Sequence, residues 1–576
     1  MSKSTALIPL ILACALSLAA QSAWNAPGDT LSVIMQPILN VPEILIPGET
    51  LVITAKAPQN TTLWAGALLH GQKRVPLQIF APLYDPQFSL WTLQALLPNV
   101  AVYELYDLEL TASGGIHDVT ENAVQVIPSR KNSYYFVHIT DLHLPNRVYY
   151  PNDGYGVDST SVIDFREVIY DINLIRPEFV LLTGDLVNEG ELEGLAGQYW
   201  YGWAQRLLSL IEVPVYTLAG NHDLGGWNQT PGPQGSARRN WWRYFGWPWL
   251  NTTSSPIDSY TQDYSFRYGD IHYIGLETYI NYDDWRYSIY GNNGLIPSQW
   301  QWLNLELATY PPTKALFYHY DFEEEFDLGE MGADIALWGH THRNEGSIYS
   351  QPYNLGTRSV CDGNRAYRVI KVNGTNFQPM NTISAGSSGT GIYEYYLPSN
   401  EGIADSVQCT IVNNLYIGFD QGLVKFNMPP SANASYTLTG GILEQVDRSA
   451  VRNVCYVRVN MMASMTRVVS IKESGVVTSD AQAPAAVIHI SAYPNPFSQQ
   501  STIMVDLPQA RQLSLEVYNL KGQRLRDLSG AALAAGTHTF SWDGKDDGGK
   551  NVPNGVYFLR LQAGDKVQLH KIVRTD

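Results

Sequence analysis

Between residues 27 and 128 apolar and polar positions alternate in short runs, among them ETLVITA, TTLWAGALL and VYELYDLELTA, separated by Pro, Gly and Asn turns. A period of two over runs this short predicts a β-sandwich. The stretch IPSRKNS (127–133) reads as a linker, and from Tyr134 the pattern changes. YYFVHITD is a continuous apolar run, as in a strand covered on both faces. Val162, Phe165, Val168, Ile169 and Ile172 then recur at helical spacing, and EFVLLTGD is a second buried strand. Trp200, Trp203, Leu207, Leu210 and Ile211 mark a second helix, and VPVYTLAGNHD a third strand. Strand, helix, strand, helix, strand predicts an α/β layer. Later strands are expected at YSFRY, IHYIGLE, KALFYHY and DIALWGH, with a helix opening near Pro297, where proline suits the first turn. All-β patterning returns from about 345 to 475, a second linker begins at 475, and residues 487–576 form a separate small β unit rich in turns. The expected division is therefore a signal peptide at 1–23, a β-sandwich at 27–128, an α/β domain at 133–350, a β-rich domain at 351–480 and a C-terminal domain at 487–576.

The first residues change the picture of where the protein works. Lys3 precedes an apolar run from Ala6 to Ala20, followed by small residues around Ala23 that suit cleavage. The run is shorter than the roughly 20 residues of a spanning helix, so it reads as a cleaved export signal. No later segment is apolar and long enough to span, so no transmembrane helix is expected in the mature chain. Aromatic residues make up 12% and charged residues only 16%, which excludes disorder over most of the length. The formal net charge of −17 argues against nucleic acid as a partner, and a nuclease is disfavoured for want of a long basic stretch. Besides Cys14 there are Cys361, Cys409 and Cys455, too few for a disulfide scaffold. A Cys409–Cys455 bridge and two buried thiols are both open.

The candidate chemistry lies in five short clusters, each just past an apolar strand: D-L-H at 141–143, G-D at 184–185, G-N-H-D at 220–223, His319, and G-H-T-H at 339–342. In α/β sheets ligands bind at the carboxyl ends of strands. Residues two apart share a face of extended backbone, so Asp141 and His143 are expected to point at one ion, and His340 and His342 at two neighbouring ones. Carboxylate, imidazole and amide donors suit Mn, Fe, Zn or Co. With 47 Gly and 12 His in 576 residues, G-H-x-H arises by chance about 0.02 times, and five of the histidines fall in these clusters.

In this order the clusters resemble those of the calcineurin-like metallophosphoesterases over about 133–350. The resemblance implies a two-sheet sandwich flanked by helices, with two divalent transition ions at the strand ends. It assigns Asp141, His143, Asp185 and His342 to one metal, with Asp185 bridging to a second held also by Asn221, His319 and His340. It makes His222 the general acid and places Asp223 behind the ligands as a support. The implied reaction is hydrolysis of phosphomonoesters or small phosphodiesters, by in-line attack of a metal-bridging hydroxide. Asn188 stands three residues after Asp185, where relatives place Asp or Tyr; it is expected to hydrogen-bond His222. Purple acid phosphatases carry Tyr there and lack the counterpart of His143, so no purple enzyme is expected. The alternative is a non-catalytic surface or adhesion protein that uses the same fold as a scaffold.

A second resemblance rests on YPNPF (493–497), LEVYNLKGQRLRDL and WDGKDDGGKNVPNGVYFLRL, which are similar to the type A sorting domain of type IX secretion cargo, an immunoglobulin-like fold. It implies a bacterial protein, recognition by the secretion machinery, and a secreted or surface-attached product. Asp543, Asp546 and Asp547 read as a turn rather than a Ca²⁺ loop. Arg238 and Arg239 in RRNWWRYFG are candidates to grip a phosphate ester, while the tryptophans there are expected to bury against the sheet as part of a short helix. His138 is expected to be buried and satisfied rather than a ligand.

Overall fold

The computed structural model divides the chain into two compact units, residues 1–475 and 476–576. The structure describes residues 32–86, 89–149, 156–188, 194–224, 236–246, 262–278, 295, 297–320, 322, 326–386, 391–476 and 489–575, the last without 494, 496, 508–511, 529–532, 534–535 and 564–565. The expected signal peptide, Cys14 and most of the second linker lie outside these residues. Among the described residues no helix is long and apolar enough to cross a membrane.

The first unit opens with the sandwich that the alternating pattern predicts. Ile34–Gln36, Thr50–Lys56, Leu90–Leu96 and Ile79–Asp85 form one sheet; Glu43–Leu45, Ile116–Val126, Leu105–Ala112, Ala65–His70 and Lys73–Leu77 form the other. Leu51, Ile53, Leu93, Tyr106, Leu108 and Leu110 fill the space between them.

Two further sheets build the α/β domain. In one, Val215–Leu218, Val180–Thr183 and Ser133–Ile139 run parallel, and Ala366–Asn373 returns antiparallel beside Ser133–Ile139. In the other, Tyr264–Tyr268 is antiparallel to Ile271–Leu276, after which Thr313–Tyr318, Ile335–Trp338 and Tyr353–Gly356 follow in parallel. The inner faces pack through Phe136, Phe179, Tyr216, Tyr273, Phe317 and Leu337, with Phe136 stacked on Phe179 at 5.1 Å. Helix Ser161–Ile175 covers the outer face of the first sheet with Phe165, Val168, Ile169 and Ile172, the spacing read from the sequence. Each such buried side chain contributes about 1.5–3 kcal/mol. Helix Pro297–Ala308 packs Trp302 and Leu303 on the second sheet. Helix Ser236–Phe245 buries Trp241, whose indole N–H donates to Gln262 Oε1 at 2.6 Å; the side chains of Arg238, Arg239 and Trp242 lie outside the described residues.

The expected boundary at 350 differs from the sheets. Tyr353–Gly356, Ala366–Asn373, Asn376–Pro379 and Ile383–Ser384 all belong to the α/β sandwich, and the next sandwich has its first strand at Ile392–Leu397. An all-β run has the same local pattern whether it completes a mixed sheet or starts a new domain, and only long-range pairing tells them apart. That next sandwich holds Cys409 and Cys455 on different sheets, and with Cys361 they are buried free thiols. It packs against the α/β domain, with Phe419 edge-on to Tyr135 at 5.8 Å. Arg176 ends helix Ser161–Ile175 in the left-handed conformation and grips both oxygens of Glu104 of the first sandwich at 2.7 Å.

The second unit is a sandwich of its own. His489–Tyr493, Ser501–Leu507 and Gly536–Trp542 face Arg524–Asp527, Leu513–Asn519, Gly555–Ala563 and Lys566–Arg574 around Trp542, Leu515, Val517 and Leu559. Asp546 Oδ1 accepts from Gly548 N and Lys550 N, and Asp543 Oδ1 from Lys545 N, so these carboxylates close turns.

Candidate metal centre

All five clusters meet at one edge of the α/β sandwich, where its strands end. The backbone there is not extended. Asp141, His143, Asp185, His340 and His342 have φ of 54°, 46°, 51°, 68° and 58°, a region that non-glycine residues rarely enter. The face-sharing expected for residues two apart in a strand therefore does not orient these side chains; left-handed turns past the strand ends do. Such conformations cost on the order of 1–3 kcal/mol each and persist only where surrounding bonds hold them. Here Asp141 N, Leu142 N and His143 N donate to Gly184 O and Asp185 O, while Val360 N and Cys361 N donate to Thr140 O and Asp141 O. The glycines before the donors give the room. A Cβ on Gly220 would lie 2.5 Å from Asp185 N, and one on Gly339 2.6 Å from Asp141 Oδ2.

The donors fall into two groups that share one carboxylate. His143 Nε2 and His342 Nε2 are 3.1 Å apart, and Asp141 Oδ1 lies 3.3 Å from His342 Nε2. His319 Nε2 is 3.1 Å from Asn221 Oδ1, which His340 Nδ1 also approaches at 3.1 Å. Asp185 Oδ2 lies between the groups, 3.6 Å from His143 Nε2 and 3.2 Å from His319 Nε2. Donor atoms of His143, Asp185 and His222, and of Asp185, His319 and His340, lie within 4.8 Å of one another.

The far nitrogens of the imidazoles are held as well. His319 Nδ1 donates to Thr183 O at 2.6 Å, His143 Nδ1 to Asn188 Oδ1 at 3.1 Å, and His342 Nδ1 to Asp362 Oδ2 at 3.0 Å. With Nδ1 committed as a donor, Nε2 of each neutral ring presents a lone pair. Two such lone pairs 3.1 Å apart, beside Asp141 Oδ1 that is buried without a hydrogen bond, need a cation or a proton between them. The donor set thus fits a pair of divalent transition ions.

The same crowding sets the protonation. Burial opposes charge on Asp185, yet His319, His222 and His143 hold its carboxyl well below the usual carboxylate range. Asp141 is likewise lowered against its burial, chiefly by His342. His342 is pushed up to about 12, its burial outweighed by Asp141 and Asp362, and His319 up to about 9, its burial outweighed by Asp185. Burial, then the neighbouring His319, brings His340 down to about 4.

Around the donors, three expectations can be compared with geometry. Asp223 is buried behind the site and caps Leu186 N, Val187 N and Gly220 N with its carboxylate; burial, then the charge of Asp185, pushes it up to about 7. Among the described residues, the amide oxygen of Asn188 takes His143 and its backbone carbonyl takes His222 Nδ1, at 2.6 Å. Asn188 and His222 follow neighbouring strands, Val180–Thr183 and Val215–Leu218, and a main-chain carbonyl as partner is something no residue-type motif reports. His138 is buried between Thr183 Oγ1 and Thr357 Oγ1, 2.8 Å from each, as a satisfied core histidine. Sequence reasoning missed Thr140, whose hydroxyl donates to Asp141 Oδ2 at 2.8 Å, and also Cys361 and Asp362. Cys361 Sγ lies 3.8 Å from His342 Nδ1. The C-D-G at 361–363 was the available signal, hidden by its assignment to the following β-rich segment.

Residues 134–344 match the family model of the calcineurin-like phosphoesterases, and residues 495–566 that of the FlgD Ig-like domain. The chain contains a calcineurin-like metallophosphoesterase domain and a C-terminal domain of the FlgD immunoglobulin-like type. Over 100 residues it is 30% identical to the "Probable cyclic nucleotide phosphodiesterase" of Moraxella catarrhalis, covering 17% of this chain and 31% of that protein. Over 62 residues it is 39% identical to the "Basal-body rod modification protein FlgD" of Salmonella typhimurium, covering 11% of this chain and 27% of that protein. The chain therefore spans under a third of each of these relatives. Among solved structures it is similar to a purple acid phosphatase from yellow lupin seeds, with 12% identity, a TM-score of 0.34, and coverage of 63% of this chain and 69% of that one.

Proposed function

We propose that the protein is an exported hydrolase of phosphoric esters that works with two divalent transition ions. Asp141, His143, Asp185 and His342 would hold one ion, and Asp185, Asn221, His319 and His340 the other. When bound, such a pair supplies Lewis acidity to the phosphoryl oxygens and an activated water. The observation that carries the reading is Asp185 Oδ2, a single carboxylate oxygen within 3.6 Å of His143 Nε2 and 3.2 Å of His319 Nε2. Asp185 Oδ1 accepts His222 N–H at 3.0 Å, which ties the backbone of the proposed acid to the shared ligand. With Nδ1 of His222 given to the Asn188 carbonyl, Nε2 is the nitrogen for the leaving oxygen. Cyclic nucleotides join the simple mono- and diesters as substrates to screen, because the Moraxella relative is named for them.

The test is hydrolysis of paired p-nitrophenyl mono- and diesters by the full chain, stripped of metal and reloaded with Mn²⁺. Metal-dependent turnover is expected, and the monoester-to-diester ratio selects the substrate class. Failure to take up metal, together with absent turnover, would overturn the reading in favour of a non-catalytic surface protein. The C-terminal unit supports export through type IX secretion, since its sequence resembles the sorting domain of such cargo. Deleting residues 487–576 should then retain the protein inside the outer membrane; unchanged secretion would refute that role.

A further inference from the structure

We propose that the strand Arg147–Tyr149 is a strap that holds the two oxygens orienting His143 and His342, and that Asp362 is the positioning residue that makes His342 an Nε2 donor. This rests on the two-metal reading above. Asn188 Oδ1 accepts from His143 Nδ1 and, at the same 3.1 Å, from Val148 N. Asp362 Oδ2 accepts from His342 Nδ1 at 3.0 Å and also meets Arg147 Nη1. Adjacent residues of one short strand thus grip the acceptors behind both imidazoles, and those imidazoles face each other Nε2 to Nε2 at 3.1 Å.

The physical need is specific. An imidazole has one lone pair to give, and the partner that takes the other nitrogen's proton decides which nitrogen gives it. Partners of that kind also raise ligand basicity, and their removal costs about 10- to 100-fold in metal affinity. A surface Asp–Arg pair would do none of this. Asp362, however, is only partly exposed, and its loop is pinned from beneath: Gly363 N donates to Asp164 Oδ2 and Arg365 Nε to Asp164 Oδ1, at 2.9 and 2.8 Å, with Asp164 fully buried. The two partners are unequal. Asn188 is a neutral amide and Asp362 a carboxylate, so His342 receives the stronger polarisation of the pair.

The experiment compares the full-length protein with Asp362→Ala, Asp362→Asn and Arg147→Ala, each stripped and titrated with Co²⁺. Two readouts are taken: the affinity of each of the two ions, and the exchangeable imidazole N–H protons shifted by the paramagnetic ion in proton NMR. Asp362→Ala should weaken one ion by about 10- to 100-fold, leave the other, and lose one shifted N–H resonance to exchange. Asp362→Asn, which keeps an acceptor oxygen, should keep that resonance with a smaller loss of affinity. Arg147→Ala should fall between wild type and Asp362→Ala. Wild-type affinity at both ions together with a full set of N–H resonances in Asp362→Ala would overturn the proposal while leaving the two-metal reading intact. A wild-type protein that takes up fewer than two ions would overturn both.

Discussion

Replacing Gly220 by Ala tests whether the space before the G-N-H-D cluster is set by the shared carboxylate. Gly220 is not one of the glycines with positive φ, so alanine is permitted by the backbone and the effect is purely one of room. The added Cβ would lie 2.5 Å from Asp185 N and would overlap Asp185 Oδ1. Ordinary contact begins near 3.4 Å, so one of the two loops must move by about 1 Å. Neither neighbour is the loose end of a flexible chain, since Asp185 N is main chain and Oδ1 is held by His222 N–H. Overpacking of this kind costs about 1–3 kcal/mol in stability, and a 1 Å misplacement costs about 100-fold in rate. Gly202→Ala in helix Gly194–Leu208 is the control, because its Cβ would meet Tyr244 at 3.6 Å, an ordinary contact. It should stabilise by about 0.5–1 kcal/mol and leave turnover alone. Both variants are to be measured for Mn²⁺-dependent ester hydrolysis, bound metal by atomic emission, and thermal midpoint. Wild-type turnover with two bound ions in Gly220→Ala would refute the reasoning.

Substituting His222→Ala should leave metal bound and slow turnover by about 10²–10⁴-fold; unchanged turnover on an ester with a poor leaving group would remove His222 as the acid. Asp171→Asn tests a buried carboxyl away from the centre. Burial, opposed by the Tyr367 hydroxyl and reinforced by the charge of Glu167, pushes Asp171 up to about 8 from its ordinary 3.8. The folded state holds this proton more tightly than the unfolded one, so its contribution is full below about pH 4 and is lost as pH rises to about 8. Over that window the variant's unfolding free energy should gain on wild type by on the order of several kcal/mol, read from denaturant titrations at each pH, and a pH-independent gap would contradict this. The iron-loaded protein should show no visible tyrosinate charge-transfer band, because Asn188 stands where purple phosphatases carry tyrosine and its oxygen is taken by His143; absorption spectroscopy decides it.

Much of this cluster of side chains is legible in the sequence, for a local reason. Asp141, Asp185, Asn221, His319, His340 and His342 each follow a run of apolar residues, and a doubly covered strand makes such a run whatever lies beside it. The same holds for the helix carrying Phe165, Val168 and Ile172 and for the first sandwich, where period and turn residues lie within a few positions of each other.

What the tertiary structure decided is everything that joins distant segments. Strand Ala366–Asn373 returns to pair with Ser133–Ile139, and this draws Cys361 and Asp362 beside His342. The partner of His143 proved to be Asn188, forty-five residues on, while His222 took a backbone carbonyl. The backbone at Asp141, His143, Asp185, His340 and His342 is left-handed, a region few non-glycine residues occupy, and is held there by bonds between loops. Hydrophobic periodicity is a property of neighbours along the chain and survives in the bare sequence. Which oxygen stands behind which imidazole depends on contacts across as many as 215 positions, between Arg147 and Asp362, and no local pattern encodes them.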